Sequence, residues 1–308
     1  MKLSIVTTLY KSSLYVNEFY ARISKEAQKI TDNFEIIFVD DGSPDDSLQK
    51  CITLHQQDQK VTVVELSRNF GHHKAIMTGL LHAQGDFVFL IDVDLEEEPE
   101  LLESFWHELQ SDEDLDVVYG VQEKRKGRWF ERWTGKLYYN LFNYMADEGH
   151  ATKNLSTVRL MNKNYVNQFI LFKEKDFFFA PISELVGFNQ KPIIIEKLDI
   201  SDTTYTFLHK YNILINSIFS FSIKPLYFIF YFGLLITLLS FVFAGGLVFN
   251  KLVYNSSMEG WTSVMALISL LGGIVIFFLG IISIYISKIF TESKNRPFSI
   301  VKKIYKDR

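Results

Sequence analysis

Phe87-Val88-Phe89-Leu90-Ile91-Asp92-Val93-Asp94 is the stretch on which the reading of the fold turns. Five consecutive apolar residues, aromatic or β-branched but for one leucine, predict a strand buried on both faces, as in parallel sheets covered by helices. Two carboxylates follow where the strand should end, and alternation along an extended chain points Asp92 and Asp94 the same way. Working outward, β-rich apolar runs recur at Leu3–Thr8, Phe34–Val39, Val61–Leu66 and Val117–Tyr119. Helical periodicity fills Tyr15–Ile30, Asp45–Gln57, Lys74–Gln84 and Pro99–Gln110. Strand–helix alternation of this kind predicts an α/β domain with a mostly parallel sheet. Ser43 reads as the N-cap of the second helix, with Pro44 at its first position and Asp46 at its third. Ligands of such sheets bind beyond the carboxyl ends of the strands. Asp40 and Asp41 close the second strand, Arg68 follows the third, and Asp92 and Asp94 close the fourth.

Composition excludes several classes. Lys and Arg number 32 against 36 Asp and Glu, so the chain carries no basic footprint for nucleic acid. Cys51 is the only cysteine, which rules out an internal disulfide framework and fits a reducing compartment. It falls in a predicted helix and reads as packing. No Gly-x-Gly-x-x-Gly follows a strand and no Walker-type loop is present, which argues against dinucleotide oxidoreductases and P-loop enzymes. His72 and His73 are adjacent rather than at metal-ligand spacing and read as loop residues at the edge of the site. Met1–Tyr10 is a short apolar stretch with no small-residue cleavage site after it, so the N-terminal part is expected to stay in the cytosol.

Hydrophobicity is concentrated near the end of the chain. Pro225–Phe249 and Thr262–Ser287 contain no charged residue, and each exceeds the ~20 apolar residues that cross a bilayer core. A short loop joins them, so 225–287 is expected to form a two-helix transmembrane hairpin. The tail at 288–308 holds Lys288, Lys294, Arg296, Lys302, Lys303, Lys306 and Arg308, against Lys251 alone in the loop. The positive-inside rule then places the tail, and the domain at 1–204, on the cytoplasmic side. Two amphipathic stretches, about 128–145 and 205–224, read as helices lying in the interface. The first has Trp129, Trp133, Leu137 and Leu141 on one stripe and Arg128, Arg132 and Lys136 opposite.

Two converging carboxylates at a strand end suit a hard divalent cation, Mg2+ or Mn2+, that also takes diphosphate oxygens and water. Continued alternation makes Glu96 a candidate third ligand beside Asp92 and Asp94. A solvated acidic helix start is the competing reading, since Glu96, Glu97, Glu98 and Glu100 surround Pro99.

The ordered set of motifs resembles glycosyltransferase family 2, in the branch of dolichol-phosphate mannose synthases and bacterial polyprenyl-phosphate glycosyltransferases. It runs through Ser4–Tyr10, Val39-Asp40-Asp41-Gly42-Ser43, Leu66-Ser67-Arg68-Asn69-Phe70-Gly71, Gly85-Asp86 and Asp92-Val93-Asp94-Leu95-Glu96. It continues in Arg159-Leu160-Met161, Val186–Gln190, Ser220-Phe221-Ser222 and Lys224-Pro225-Leu226. The resemblance implies a GT-A fold and an inverting sugar transfer from a nucleotide-sugar donor to a polyprenyl phosphate of the undecaprenyl kind, for cell-envelope glycan. It implies a multi-pass protein of the bacterial inner membrane with a cytosolic site. Thr8, Tyr10, Asp40, Asp41 and Arg68 would bind the donor; Asp92, Asp94 and Glu96 would hold the metal, with Asp92 and Asp94 catalytic. The sequence sets no oligomeric state and is compatible with a homo-oligomer.

The chain departs from that branch at two points. Lys11-Ser12 stands in place of Asn-Glu, and Ser156-Thr157-Val158 in place of Gly-Asp-Phe, whose aspartate is a frequent candidate base. A lipid monophosphate has a second pKa near ~6 and needs no base at neutral pH. It needs cations, and Arg132 and Lys136, a helical turn apart, are the expected acceptor-phosphate clamp. A hydroxyl acceptor would instead call for Glu184 or Asp176 as base. A non-catalytic nucleotide-sugar-binding anchor is the reading from another class.

Overall fold

The computed structural model describes residues 1–122, 140–145, 154–175, 178–198, 219–254 and 260–306. The chain divides into two compact units, one of Met1–Asn143, Gly149–Lys210 and Arg296–Arg308, the other of Tyr144–Glu148 and Tyr211–Asn295.

The first unit is an α/β domain. Its elements run β1 (Leu3–Leu9), α1 (Val16–Ile30), β2 (Phe34–Asp40), α2 (Ser47–Gln57), β3 (Val61–Leu66), α3 (His72–His82), β4 (Phe87–Leu90), α4 (Leu101–Gln110) and β5 (Val117–Gln122). Then follow β6 (Leu155–Asn162), α5 (Lys163–Phe169), α6 (Phe179–Leu185) and β7 (Gln190–Ile195); β8 (Val301–Tyr305) returns from the end of the chain. Eight strands form one sheet in the order β7-β5-β6-β4-β1-β2-β3-β8. The pairs β1/β2, β2/β3, β1/β4 and β5/β7 are parallel, while β4/β6, β5/β6 and β3/β8 are antiparallel.

Burial explains why the central strands are legible as mostly apolar, β-rich runs. Every residue of β1, β2 and β3 is buried, so both faces are mainly apolar, and buried polar residues such as Ser4 and Glu35 pair with each other. On one face Leu3, Ile5, Phe38 and Phe89 pack against Phe19 and Ile23 of α1, Leu54 of α2 and Phe105 of α4. Helix α3 covers the other face, close enough that a Cβ on Gly79 would stand 2.4 Å from Val6. Fully burying one such side chain stabilises the fold by roughly 1.5–3 kcal/mol.

Three local expectations are corrected. Helix α2 starts at Ser47 and not at Pro44, so Ser43 is no N-cap. The Ser43 amide instead donates to Asp40, and Ser47 donates its amide (3.3 Å) and hydroxyl (2.6 Å) to Asp45. His72 and His73 are not loop residues but open α3. The tail is more than a basic extension, because Val301–Tyr305 closes the sheet against β3.

In the second unit α7 (Lys224–Tyr254) and α8 (Trp261–Ser293) are long helices. Leu271–Ser293 is long and apolar enough to cross a membrane, and Lys224–Ile236 is a shorter apolar segment. Tyr285 donates to the Ser222 carbonyl at 2.8 Å and Lys288 to the Ser220 hydroxyl at 2.9 Å, tying the approach to α7 onto α8. Of the two amphipathic stretches, residues 140–145 and 219–221 are helical; 128–139, with Arg132 and Lys136, and 205–218 lie outside the described residues.

Candidate active site

The first strand lies in the middle of the sheet, with β2 and β3 on one side and β4 on the other. The chain therefore changes winding direction between β1 and β4, where open α/β sheets leave a crevice for ligands. Thr8 stands there, at the end of β1, with Asp40 at the end of β2 and Asp92 just past β4. The antiparallel β6 brings its amino end to the same edge, since Arg159 pairs with Leu90.

Asp40 and Asp41 build the second loop of the site. Asp41 accepts hydrogen bonds from the amides of Phe70 (2.7 Å) and Gly71 (2.9 Å), which fixes the Arg68–Gly71 loop against the end of β2. Gly42 makes this approach possible. Its φ is +67°, and a Cβ there would meet the Asn69 amide nitrogen at 2.6 Å. Burial raises the pKa of both carboxyls, and the amide donors pull the other way. Arg68 is exposed, with its guanidinium 4.1 Å from the Phe70 ring. Tyr10 stands beyond the strand, 48% exposed.

The β4 end is a concentrated carboxylate cluster. Asp94 accepts the Glu96 amide at 3.0 Å, and Leu95 takes a left-handed φ of 59°, so the chain turns immediately after Asp94. The alternation that nominated Glu96 as a third ligand does not continue through this turn. Glu96 instead meets Lys197 at 3.2 Å. Glu97, fully buried, meets Lys197 at the same distance and accepts from the Ser156 hydroxyl. Burial first, then the neighbouring Asp94, raises the Asp92 pKa; burial and then Asp92 raise that of Glu97. Burial works against the Lys197 charge, but Glu97, Asp92 and Glu96 outweigh it and hold its pKa above the ordinary lysine value.

Thr157 and His72 complete the surroundings of Asp92. Thr157, at the position where the related branch has its aspartate, lies close enough to Asp92 to pull its pKa down against burial. The His72 Nε2 lies 3.4 Å from Asp92, and its Nδ1 lies 3.1 Å from the Thr8 hydroxyl. Desolvation lowers the His72 pKa, while Asp94, Glu97 and Asp41 pull it upward. Sequence reasoning set His72 only at the edge of the site, took Glu97 for part of a solvated acidic helix start, and passed over Lys197. No spacing announces Lys197, which reaches the cluster only because β7 runs parallel to β5 and ends at the same edge.

Among the described residues no group of three or more His, Cys, Asp and Glu side chains is gathered as a metal cage. The charge balance still fits a divalent ion. Asp92, Asp94, Glu96 and Glu97 share Lys197, which leaves negative charge uncompensated in a partly buried place. Mg2+ is characteristically held by one or two carboxylates together with substrate phosphates, and Asp92 and Asp94 offer that pair.

A family model described as glycosyl transferase family 2 matches residues 4–173, which takes in every element named above from β1 to α5. The chain belongs to glycosyltransferase family 2. A protein of Mycobacterium tuberculosis named as a glycosyltransferase is 46% identical over 99% of this chain and 89% of its own. The bactoprenol glucosyl transferase of Shigella phage SfII is 28% identical over 99% of both chains. The crystal structure of M. tuberculosis glucosyl-3-phosphoglycerate synthase with phosphoglyceric acid covers 71% of this chain and 79% of its own, at 18% identity and a TM-score of 0.48. That last likeness is too slight to say anything of the reaction. The sheet of this family 2 enzyme is GT-A-like and mostly parallel, as expected from the sequence.

Proposed function

We propose that this enzyme transfers a sugar, with inversion, from a nucleotide-sugar donor to a polyprenyl phosphate at the cytosolic face of a bacterial plasma membrane. The observation that carries the reading is the likeness to a bactoprenol glucosyl transferase over 99% of both chains, which takes in α7, α8 and β8 as well as the sheet. The apolar helix Leu271–Ser293 supports a membrane home. With α7 as its partner it would make a hairpin. Residues 1–204 would then be the cytosolic catalytic domain, 205–224 a juxtamembrane helix and 225–287 the spans.

In this reading Asp41 and the loop it holds, with Asp40, Arg68, Thr8 and Tyr10, receive the nucleoside and its diphosphate. Asp92 and Asp94 would hold Mg2+ or Mn2+, which neutralises the diphosphate as it leaves. Glu96 joins them only by letting go of Lys197. Thr157 orients Asp92 and takes no proton. It need take none, because a phosphate monoester is already mostly dianionic at neutral pH. Arg132 and Lys136 are proposed to capture that anion at the membrane surface.

The test is the product. Purified enzyme given polyprenyl phosphate and a panel of radiolabelled nucleotide sugars should yield one glycosylated lipid phosphate by mass. Label found only on a lipid-linked saccharide would defeat the proposal and favour a hydroxyl acceptor, with Glu184 or Asp176 as base.

Topology has its own test, and Cys51 simplifies it. That thiol is buried, and its pKa is raised by burial, so the unaltered chain is a blank for thiol reagents. Single cysteines at Ser257, between the helices, and at Lys303, exposed on β8, should differ. An impermeant reagent on sealed cells should label only the first. Labelling of position 303 alone would reverse the orientation.

A further inference from the structure

Arg159 heads the largest side chains that the fold buries completely, at 1% exposure. It has no acidic partner among the described residues. Its Nε donates to the Thr157 carbonyl at 3.3 Å, but among the described residues Nη1 and Nη2, shut away from solvent, meet no acceptor in hydrogen-bond geometry, and the Tyr165 hydroxyl beside them offers a lone pair but no charge. Its surroundings are aromatic. The Phe179 ring lies 4.1 Å from the guanidinium carbon, and the phenols of Tyr165 and Tyr119 are close by. Tyr165 spends its own proton on the Ser183 carbonyl at 3.0 Å. Burial lowers the Arg159 pKa, yet an arginine stays charged in a protein. A buried cation in this condition is costly unless something completes it. The Phe179 ring attends to the face of the guanidinium plane. It leaves the edge, where in-plane N–H groups match two oxygens of one phosphate.

The same side chain belongs to the active-site side of the sheet. Arg159 and Thr157 are two residues apart on β6 and so share a face, and the Thr157 side chain lies beside Asp92. Phe179 in turn faces His73, next in the chain to the His72 that touches Asp92. Behind this aromatic layer α5 and α6 leave an apolar groove of about 610 Å³, lined by Gln168, Leu171, Phe172, Leu185, Val186 and Phe188. Leu171 is 64% exposed and Phe188 43%, an apolar surface open to a ligand. Tyr165 stands between groove and guanidinium, with its ring centroid 5.7 Å from both Phe188 and Phe169.

A buried guanidinium without an anion among the described residues and an apolar groove one ring away are the two halves of a site for an amphiphile with an anionic head. We propose that Arg159 seats the phosphate of the isoprenoid acceptor and that the groove between α5 and α6 takes its first isoprenoid units. This rests on the polyprenyl-phosphate reading and deepens it, since Arg132 and Lys136 would capture the lipid and Arg159 would fix it beside the donor.

The full-length enzyme, assayed with polyprenyl phosphate and nucleotide sugar varied separately, tests the assignment. Arg159→Gln should raise the KM for polyprenyl phosphate at least tenfold and that for the donor less than twofold. It should also weaken competitive inhibition by inorganic phosphate. Leu171→Asp, at an exposed position where folding is not at stake, should raise the KM for polyprenyl phosphate severalfold and leave inhibition by inorganic phosphate unchanged. A rise confined to the donor KM in Arg159→Gln would assign the guanidinium to the donor diphosphate and overturn the proposal. So would an unchanged acceptor KM in Leu171→Asp. Wild-type enzyme that makes product only from a different acceptor would overturn the function itself. Wild-type use of polyprenyl phosphate with both variants unaffected would overturn this site alone.

Discussion

Replacing Asp94 by Ala is expected to lower turnover on the order of a hundred- to a thousandfold, the usual cost of removing one preorganised group that stabilises transition-state charge. Among the described residues Asp94 touches no cation directly; its carboxylate caps the Glu96 amide and raises the pKa of Asp92 beside it. Two consequences distinguish a loss of metal chemistry from a loss of structure. Thermal stability should change little, because removing Asp94 relieves crowding among Asp92, Glu96 and Glu97. Chelation of the wild-type enzyme should reproduce the defect, and added Mg2+ or Mn2+ should restore the wild type but not Asp94→Ala. Full turnover in excess chelator would remove the metal from the mechanism and leave Lys197 as the cation facing the donor.

Ending the chain at Phe298 is expected to destabilise the first unit on the order of 3–5 kcal/mol, from several ladder hydrogen bonds at ~1 kcal/mol each plus the apolar area uncovered. For a domain of this size that corresponds to a melting point lower by about 10 °C. The loss is concentrated along β3. Val63, Val64, Glu65 and Leu66 pair with Tyr305, Ile304, Lys303 and Val301, and the Ser67 amide donates to the Ile300 carbonyl at 2.9 Å. Glu65 takes its two side-chain partners from β8, Lys302 at 2.5 Å and Tyr305 at 3.1 Å, and Ser299 meets Thr78 at 2.7 Å. Without β8 the apolar β3 becomes a bare edge, open to pairing with other chains. Donor affinity should fall as well, because Arg68 sits two residues beyond the strand that β8 pins. A truncated protein with unchanged melting point and unchanged nucleotide affinity would show β8 to be dispensable.

What was legible follows from burial. Leu3–Thr8, Phe34–Val39 and Val61–Leu66 announced themselves because strands covered on both faces admit few polar residues. The strands that escaped notice are those with mixed surroundings. Leu155–Asn162 carries Ser156, Thr157 and Arg159 toward the site, Gln190–Ile195 lies at the exposed edge of the sheet, and Val301–Tyr305 sets two adjacent lysines among its apolar residues on the opposite edge. The site divided in the same way. Asp40, Asp41, Asp92 and Asp94 could be placed as candidates because each lies at the end of a strand that could be recognised. Glu96 was over-read, since period-two alternation fails once Leu95 turns the chain. Ser43 was over-read too, because a Ser-Pro pair before a helix fits a cap and fits the Asp40 turn equally well.

The sequence by itself determined that this is an α/β enzyme of glycosyltransferase family 2, with its acidic groups at strand ends and its apolar mass near the C-terminus. Those features are local, written in runs of a few residues and in their order. Only the tertiary structure decided that Lys197 answers Glu96 and Glu97, that His72 bridges Thr8 and Asp92, and that Arg159 lies buried with no acidic partner among the described residues. It also decided that the last strand comes back, across 235 positions from Leu66 to Val301, to close the sheet. No short-range pattern encodes such meetings. They depend on which strand lies beside which, and that is settled by the packing of the whole sheet between its two helical layers.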